Sequence, residues 1–211
     1  MIFLKNIDID QVIKKGIFAG VLIALAAFGY LCDKKIGMFL FTFGLINVVL
    51  YKAKLFTGTA GFINTKNKEE WVSLFLIIMN NIVGVCIIAF IALFSDLPII
   101  ENAKAIVDRR LELGFVRGFF LSIGCGILMT ASVNFARKGN DIVHWLPLLT
   151  GVPLFILCGF PHCIADSFYL LLTFATGFNH ELTIYHLNGV IYYISIVIGN
   201  FVGCNLYKIF D

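Results

Sequence analysis

Charged residues are scarce in this chain: Asp, Glu, Lys and Arg make up 14% of its 211 residues, whereas 60% are hydrophobic. A soluble domain has about 25% charged and about 45–50% apolar residues, so this composition excludes an ordinary soluble protein. The mean hydropathy is +0.94, and the length allows about six spans of roughly 20 apolar residues each. The net charge of +3 is spread between the apolar runs, which indicates orientation signals and not a nucleic-acid-binding surface.

Several chemical signatures are also missing. None of the six cysteines forms a Cys-x-x-Cys pair, and nearly all lie in apolar segments, so neither a disulfide framework nor a zinc ribbon is indicated. The chain has no nucleophile motif and no cofactor-binding loop, which argues against an enzyme and predicts no cofactor. The first apolar run lacks an Ala-x-Ala cleavage pattern and more apolar runs follow it, so it predicts a membrane helix and not a signal peptide.

Six apolar segments follow one another in a single membrane domain, residues 1–211. They divide it into two halves of three segments, about residues 16–94 and about residues 114–208. The longest polar stretch, residues 95–113, carries charges of both signs; we expect a solvated connection there, although the pattern also suits a surface helix. Residues 178–187 are predicted to be a short connector. The predicted segments are Gly16–Leu31, a second from Gly37, Trp71–Phe94, Gly114–Ala136, a fifth from Trp145, and Leu187–Tyr207.

Two of these segments contain sequences that interrupt a helix. Residues 154–169, LFILCGFPHCIADSFY, have Gly-Phe-Pro-His at their middle, and Asp166 follows His162 by four residues. In the second segment Lys, Thr and Gly recur over residues 52–61, which from the residues alone fits a break within the membrane and a loop after the span equally well. Broken backbone and ionisable groups are costly in lipid, and they persist where protein buries them or where they line a pathway.

Matching features recur in the two halves. The tetrapeptide Asn-Ile-Val-Gly at residues 81–84 corresponds to Asn-Phe-Val-Gly at residues 200–203, and the break at 55–58 corresponds to the break at 159–162. With three segments in each half, the halves must have opposite orientations in the membrane. Interrupted helices in inverted repeats indicate a transport site near the membrane midplane.

Together these motifs resemble the formate/nitrite transporter family: LFTGTAGF at 55–62, Trp71 followed by Asn81-x-x-Gly84, GIL at 126–128, GFPHCIADSFYL at 159–170 and GNFVG at 199–203. The resemblance covers nearly the whole chain. It implies an all-α membrane protein with six transmembrane helices, arranged as two inverted three-helix repeats with interrupted helices 2 and 5. It also implies an aquaporin-like pore in each protomer of a homopentamer, and it favours a break within the second segment.

The resemblance further implies two narrow apolar rings on either side of a central His162, which would face Thr57. The inner ring would consist of Leu55, Phe56 and Phe155, and the outer ring would include Leu45 and Phe41. From the residues alone, the aromatic and Leu side chains of the outer ring and Phe155 would be interpreted as lipid-facing or core residues. Secondary candidates for the path are Lys54, Asp166, Thr130, Asn81 and Asn200.

Departures from the family pattern change the charge near this path. Lys54 and Pro161 stand where the family often has Glu, and Asp166 and Thr130 stand where it typically has Asn. We expect Lys54 and Asp166 to pair, because each would offset the cost of burying the other. The departures leave the substrate open and favour an atypical member, such as one of the hydrosulfide branch.

A central His suits the passage of a small anion. A bare anion crosses an apolar ring only at high cost, whereas an anion neutralised by a proton crosses more easily. The unperturbed pKa of His is about 6.5, so His162 can exchange that proton near neutral pH, and the Thr57 hydroxyl can donate to an oxyanion. The prediction is a channel or transporter for formate, nitrite or hydrosulfide with proton relay; the alternative is a proton-coupled lactate or acetate carrier. An intramembrane enzyme or a metal-ion transporter is a distant alternative, and no metal site is predicted.

The distribution of basic residues predicts the orientation. With the N-terminus inside, ten of the 16 Lys and Arg residues would lie on the inner side, which favours cytoplasmic termini for this multi-pass protein of the plasma membrane. Lys52 and Lys54 would raise the anion concentration at the inner mouth. The six residues on the outer side would be Lys34, Lys35, Lys104, Arg109, Arg110 and Arg117.

Overall fold

A computed structural model describes residues 8–139, 141–175 and 180–209 of the chain, with side chains from residue 184 onward in the last range. Within these ranges the protein is helical, and no strand occurs. The helices are α1 Ile9–Cys32, α2 Lys34–Leu40, α3 Thr42–Leu50, α4 Lys68–Ala92, α5 Ile99–Ala136, α6 Ile142–Leu157, α7 Cys163–Phe174 and α8 His180–Leu206, followed by a short 3₁₀ helix, Tyr207–Ile209.

Four helices, α1, α4, α5 and α8, are long and apolar enough to cross a membrane, and α6 and α7 are shorter apolar helices. Large apolar side chains are exposed on their outer faces, among them Phe75, Phe90 and Phe120, each more than 60% exposed. An apolar outer surface of this extent requires lipid or a partner protein against it. The fold is therefore that of a multi-pass membrane protein.

Two helix pairs form the frame of the molecule: α1 packs along α4, and α5 packs along α8. A Cβ atom on Gly84 would lie 2.1 Å from the Ile17 carbonyl oxygen, and one on Gly203 would lie 2.1 Å from the Ile123 carbonyl oxygen. The backbones of each pair therefore touch directly, as small residues allow in membrane proteins. The same contact occurs at corresponding positions of the two halves.

Several helices begin earlier than the apolar pattern predicted. Helix α1 begins at Ile9 and not at Gly16, because the Asp8 side chain caps it by accepting the Gln11 backbone N–H. Helix α8 begins at His180. The predicted connector at residues 178–187 is therefore wrong from residue 180 onward, and its first two residues lie outside the described ranges.

The polar stretch before residue 114 is also helical, so the expectation of a solvated connection is wrong over residues 99–113. Ile99, Ala103 and Val107 are spaced four residues apart and are all buried, which places one apolar face against the core while the charges occupy the others. Gly114 then breaks α5 with φ 76° and ψ 162°, a conformation that favours glycine. The predicted boundary of the fourth segment at Gly114 is thus confirmed as the point where α5 changes direction.

The second apolar segment differs from a helix with a short interruption. Helices α2 and α3 form its first part, and residues 51–67 then run in turns until α4 begins at Lys68. These turns are closed by backbone bonds: the Phe56 carbonyl accepts the N–H groups of Thr59 and Ala60. Leu55 and Thr57 are fully buried, so this segment is an inserted part of the core and not a surface loop. Glycine and threonine have low helix propensity, which disfavours a second helix after the break in this segment.

Candidate functional site

The two predicted breaks meet at one contact. The Thr57 Oγ1 and His162 Nε2 atoms are 2.9 Å apart, and both residues are buried. His162 also caps α7, because its Nδ1 accepts the Ala165 backbone N–H at 3.2 Å. A nitrogen that accepts this bond carries no proton, so the ring proton lies on Nε2 and is donated to Thr57. The Thr57 hydroxyl hydrogen is then free to be donated elsewhere.

Asn81 holds the first break in place from α4. Its Oδ1 accepts the Phe56 N–H at 2.9 Å, and its Nδ2 donates to the carbonyls of Gly16 and Lys54 at 2.8 Å each. The side chain is fully buried. One amide therefore satisfies the Phe56 N–H and the Lys54 carbonyl, which lie outside any helix, and it adds a bond to the Gly16 carbonyl of α1. A buried break requires such partners.

Asn200 does the same for the second break from α8. Its Oδ1 accepts the Cys163 N–H at 2.8 Å, and its Nδ2 donates to the carbonyls of Ser122 and Pro161 at 2.8 and 3.0 Å. In each half the three bonds join the break, a long helix and its packed neighbour. The structure thus places both Asn side chains on backbone atoms of the breaks.

Asp166 pairs with a residue that the sequence did not indicate. Arg110 Nε donates to Asp166 Oδ1 at 3.1 Å, and the side chains are 17% and 4% exposed. Asp166 Oδ2 accepts the His162 backbone N–H at 2.9 Å, and Arg110 Nη1 donates to the Gly159 carbonyl. The expected pairing of Asp166 with Lys54 is wrong, because the amphipathic part of α5 brings a guanidinium to the carboxylate from the other side of the break.

A cavity of about 360 Å³ lies on one side of His162. We call it the Arg110 cavity, and its wall includes Lys34, Arg109, Arg110, Phe41, Phe155, Asp166 and His162. A second cavity of about 410 Å³, the Arg137 cavity, is lined by residues that include Lys52, Lys54, Gly58, Arg137 and Trp145. Each cavity therefore has three basic residues on its wall. Lys54, a secondary candidate, lies at the Arg137 cavity.

Two aromatic side chains pack beside His162 on the wall of the Arg110 cavity. The Phe41 and Phe155 rings meet edge to face with centroids 5.9 Å apart, and the Phe155 ring lies 5.9 Å from the His162 ring. Phe155, predicted as part of the inner ring, thus contacts Phe41 of the predicted outer ring as well as His162. The remaining ring candidates, which are buried and line neither cavity, are Leu45, Leu55 and Phe56.

Thr130 packs against the first break at Gly61 and lines neither cavity. It is fully buried, and a Cβ atom on Gly61 would lie 2.7 Å from its Cγ2 atom. The structure therefore places it as a packing contact for the turn at residues 58–61.

Side chains of the second half contact backbone carbonyls of the first break. Arg137 Nη2 donates to the Gly58 carbonyl at 3.1 Å, and Cys204 Sγ lies 3.4 Å from the Thr57 carbonyl. Asn205 Nδ2 and Lys208 Nζ donate to the carbonyls of Ala60 and Ile63 at 3.2 and 2.7 Å. The turns of residues 51–67 therefore depend on the end of α5 and on the C-terminal end of the chain.

Arg110 is the residue that sequence reasoning missed at this site. It was counted only as one of the basic residues of the outer side. A signal was present, because Asp166 lies in an otherwise apolar stretch and a buried carboxylate requires a cationic or hydrogen-bonding partner. The four-residue spacing of Ile99, Ala103 and Val107 could have shown that Arg110 belongs to a helix packed on the core.

A helical membrane protein in which two broken segments meet at a buried His, between two cavities with basic walls, has the architecture of a membrane transport protein. A sequence model of the family described as formate/nitrite transporter matches residues 5–207. The chain belongs to the formate/nitrite transporter family. This family is described as one of transporters and not of enzymes.

Three curated proteins illustrate its relatives. The chain is 26% identical over 183 residues to "Formate channel FocA" of Haemophilus influenzae, which covers 74% of this chain and 63% of that protein. It is 24% identical over 197 residues to "Uncharacterized transporter YrhG" of Bacillus subtilis, covering 78% and 71%. It is 23% identical over 158 residues to "Formate channel FocB" of Escherichia coli, covering 69% and 55%. The chain thus spans less than two thirds of either named formate channel.

Two solved structures share the fold. One is described as "Pentameric formate channel with formate bound": its TM-score is 0.80 at 22% identity, and the match covers 96% of this chain and 95% of that chain. The other is described as "FNT family ion channel": its TM-score is 0.74 at 20% identity, with coverage of 94% and 86%. At these identities the likeness establishes the fold.

Proposed function

We propose that this protein conducts a small monovalent anion, formate, nitrite or hydrosulfide, through a pore in each protomer, with His162 as a proton relay. The contact between His162 and Thr57, enclosed by apolar side chains and placed between two basic cavities, is the observation that carries this proposal. Membership of the formate/nitrite transporter family and the relatives named as formate channels support the choice of anions.

The basic cavities serve as the two mouths of the path. Lys34 and Arg109 at one mouth, and Lys52 and Arg137 at the other, are exposed side chains on the cavity walls. Fixed positive charge in a cleft raises the local concentration of anions. An anion arriving from either side therefore meets a favourable potential before it meets an apolar constriction.

The constrictions favour the neutral, protonated acid over the anion itself. Phe41 and Phe155 on one side, and Leu55 and Phe56 on the other, offer no hydrogen-bond donor to a bare anion, whose transfer into apolar surroundings is costly. The neutral acid avoids most of that cost. Passage is then limited by how readily a proton is available between the two constrictions.

His162 and Thr57 supply the proton in a defined order. The Nε2–H of His162 donates to Thr57 Oγ1, which leaves the Thr57 hydroxyl to donate to an anion beside it. Once a proton taken up from a cavity has made the ring an imidazolium, transfer of its Nε2 proton through the hydroxyl moves one proton to the anion and returns the ring to the neutral imidazole, which takes up the next proton after the neutral acid departs. The Asp166 carboxylate, bonded to the His162 backbone N–H, holds the ring position during this exchange.

The architecture proposed with this function is two inverted three-helix repeats, about residues 16–94 and 114–208, in a homopentamer. The matching bonds of Asn81 and Asn200 support the repeats. The pentameric neighbour and the apolar outer faces support the assembly. Lys15 and Lys208 both donate to carbonyls of the 51–67 turns. These contacts support our proposal that both terminal regions lie at one membrane face, the cytoplasmic face of the plasma membrane.

A proton-coupled carrier of lactate or acetate is the second candidate. The Arg110 cavity, at about 360 Å³, is large enough to admit an anion bigger than formate. The same relay would neutralise either carboxylate, so the width of the Phe41–Phe155 constriction decides between the candidates.

The test is anion uptake by liposomes that contain the purified protein, with formate, nitrite, hydrosulfide, acetate and lactate at two pH values. We expect flux of at least one small anion, and we expect His162→Asn to change its pH dependence. His144→Asn is the matched control, because His144 stacks on Phe135 and lines neither cavity. Absence of flux with every anion would overturn the transport function, and an unchanged pH dependence in His162→Asn would overturn the relay.

A further inference from the structure

We infer that Arg110 positions His162 and, by neutralising Asp166, makes the Arg110 cavity passable for anions. This inference rests on the proposed anion path. It assigns a role to a guanidinium–carboxylate pair at the edge of the cavity, and its test separates that role from the general effect of a basic residue at the mouth.

Arg110 holds both ends of the second break. Its Nη1 donates to the carbonyl of Gly159, where the chain leaves α6 with φ +69°, and its Nε donates to Asp166 in the first turn of α7. The other oxygen of Asp166, Oδ2, accepts the His162 backbone N–H. Arg110 therefore joins both ends of the break from a different helix, in addition to the bonds of Asn200, and this arrangement presents the ring that meets Thr57.

The pair also solves an electrostatic problem. Asp166 lines the same cavity as His162, yet its side chain is only 4% exposed, so water screens its charge weakly. A bare carboxylate at that position would repel an approaching anion, and repulsion between like charges is strong where the effective dielectric constant is low. With Arg110 bonded to it, the pair has no net charge, and Lys34 and Arg109 determine the sign of the potential in the cavity.

The two acceptors explain why the cation is an arginine. The Gly159 carbonyl and the Asp166 carboxylate are reached by two different nitrogens of one guanidinium. The planar fork of Arg can serve two fixed acceptors at once, whereas the Lys ammonium is a single point charge on a flexible stem. Arg110→Lys should therefore keep the neutralisation and lose part of the positioning.

Arg109 provides a matched control. It is the neighbouring residue, it lines the same cavity, and it is exposed. Arg109→Gln and Arg110→Gln each remove one positive charge from the same mouth. Only Arg110→Gln leaves the Asp166 carboxylate without its cation and the Gly159 carbonyl without its donor.

The experiment measures the concentration dependence of formate uptake by liposomes that contain the full-length protein, or of whichever small anion the wild type transports best. We expect Arg110→Gln to lower flux by on the order of tenfold or more, and Arg109→Gln to raise the apparent KM by only a few-fold. Asp166→Asn keeps an amide oxygen that can accept the His162 N–H, and its flux is the reference for the double variant. The double variant Arg110→Gln with Asp166→Asn should recover most of the flux, since it contains no bare carboxylate.

The outcomes distinguish this inference from the proposed function. If the wild type transports no anion, the proposed function fails first. If the wild type transports and Arg110→Gln behaves like Arg109→Gln, the inference is overturned. A double variant as slow as Arg110→Gln would overturn the neutralisation. If Arg110→Gln does not assemble, Arg110→Lys decides: we expect a wild-type apparent KM with a lower maximal rate, and a wild-type maximal rate would overturn the positioning.

Discussion

The buried side-chain amides of Asn81 and Asn200, which bond the two breaks, lead to a quantitative prediction for Asn81→Ala. The substitution removes one acceptor and two donor contacts at a fully buried position. It leaves the Phe56 N–H and the Lys54 carbonyl without partners and removes the bond between α4 and the Gly16 carbonyl of α1. Hydrogen bonds between helices in membranes contribute about 0.6–1 kcal/mol each. Three such bonds give a loss of about 2–3 kcal/mol in the free energy of unfolding.

This loss is large enough to measure by thermal denaturation. In a chain of this length each kcal/mol lowers Tm by about 2–4 °C, so Asn81→Ala should lower Tm by about 4–12 °C. Asn200→Ala should have an effect of similar size, because its amide makes the same set of three backbone contacts in the other half. The assay is the temperature at which the detergent-solubilised protein loses its assembled peak in size-exclusion chromatography.

Asn80→Ala is the control for this experiment. Asn80 is the adjacent residue, but its Nδ2 donates to the Leu76 carbonyl of its own helix. Its removal should change Tm by no more than about 2–4 °C, the value of one bond. The reasoning is refuted if Asn81→Ala is as stable as Asn80→Ala. If only one of Asn81→Ala and Asn200→Ala is destabilised, the two amides are not equivalent.

Two further substitutions test the packing and the constriction. Gly84→Ala should reduce the yield of assembled protein and its Tm, because the new Cβ would lie 2.1 Å from the Ile17 carbonyl oxygen; Gly29→Ala, with nothing within 4 Å, should have no such effect, and equal yields would contradict the close packing. Phe155→Ala should raise the ratio of lactate to formate flux in liposomes, because it removes one of the two rings of the proposed Phe41–Phe155 constriction beside His162. Leu154→Ala, at a 44% exposed neighbour, should leave that ratio unchanged, and an unchanged ratio in Phe155→Ala would contradict the constriction.

The meeting of the breaks could be predicted from the sequence because it follows from local signals that occur twice. A Gly-Phe-Pro-His sequence cannot continue a helix, and a buried break needs polar partners for its backbone. The two Asn-x-x-Gly motifs combine such a partner with a residue small enough for close helix packing. His162 and Thr57 are in contact, as the resemblance to the family implied, and the Asn residues contact backbone atoms of the breaks.

The partner of Asp166 could not be predicted in this way, because it depends on the direction in which α5 turns. Arg110 is 56 residues away along the chain, and it reaches the break only because α5 bends at Gly114. Lys54 was favoured because it lies beside the other break. In the structure the Lys54 backbone corresponds to that of Pro161. The Lys54 carbonyl accepts from Asn81, and the Pro161 carbonyl accepts from Asn200. The Lys54 side chain lines the opposite cavity from Asp166.

The dependence of the first break on the C-terminal end of the chain has a consequence for biosynthesis. The turns of residues 51–67 are bonded by Arg137, Cys204, Asn205 and Lys208, which follow their partners by 79 to 147 residues. A ribosome makes this non-helical stretch long before those side chains exist, and lipid offers no substitute partners for its carbonyls. These turns therefore gain their full set of partners only when α8 is inserted. On the proposed anion path, we expect a nascent chain that stops before α8 to lack a finished mouth and not to conduct.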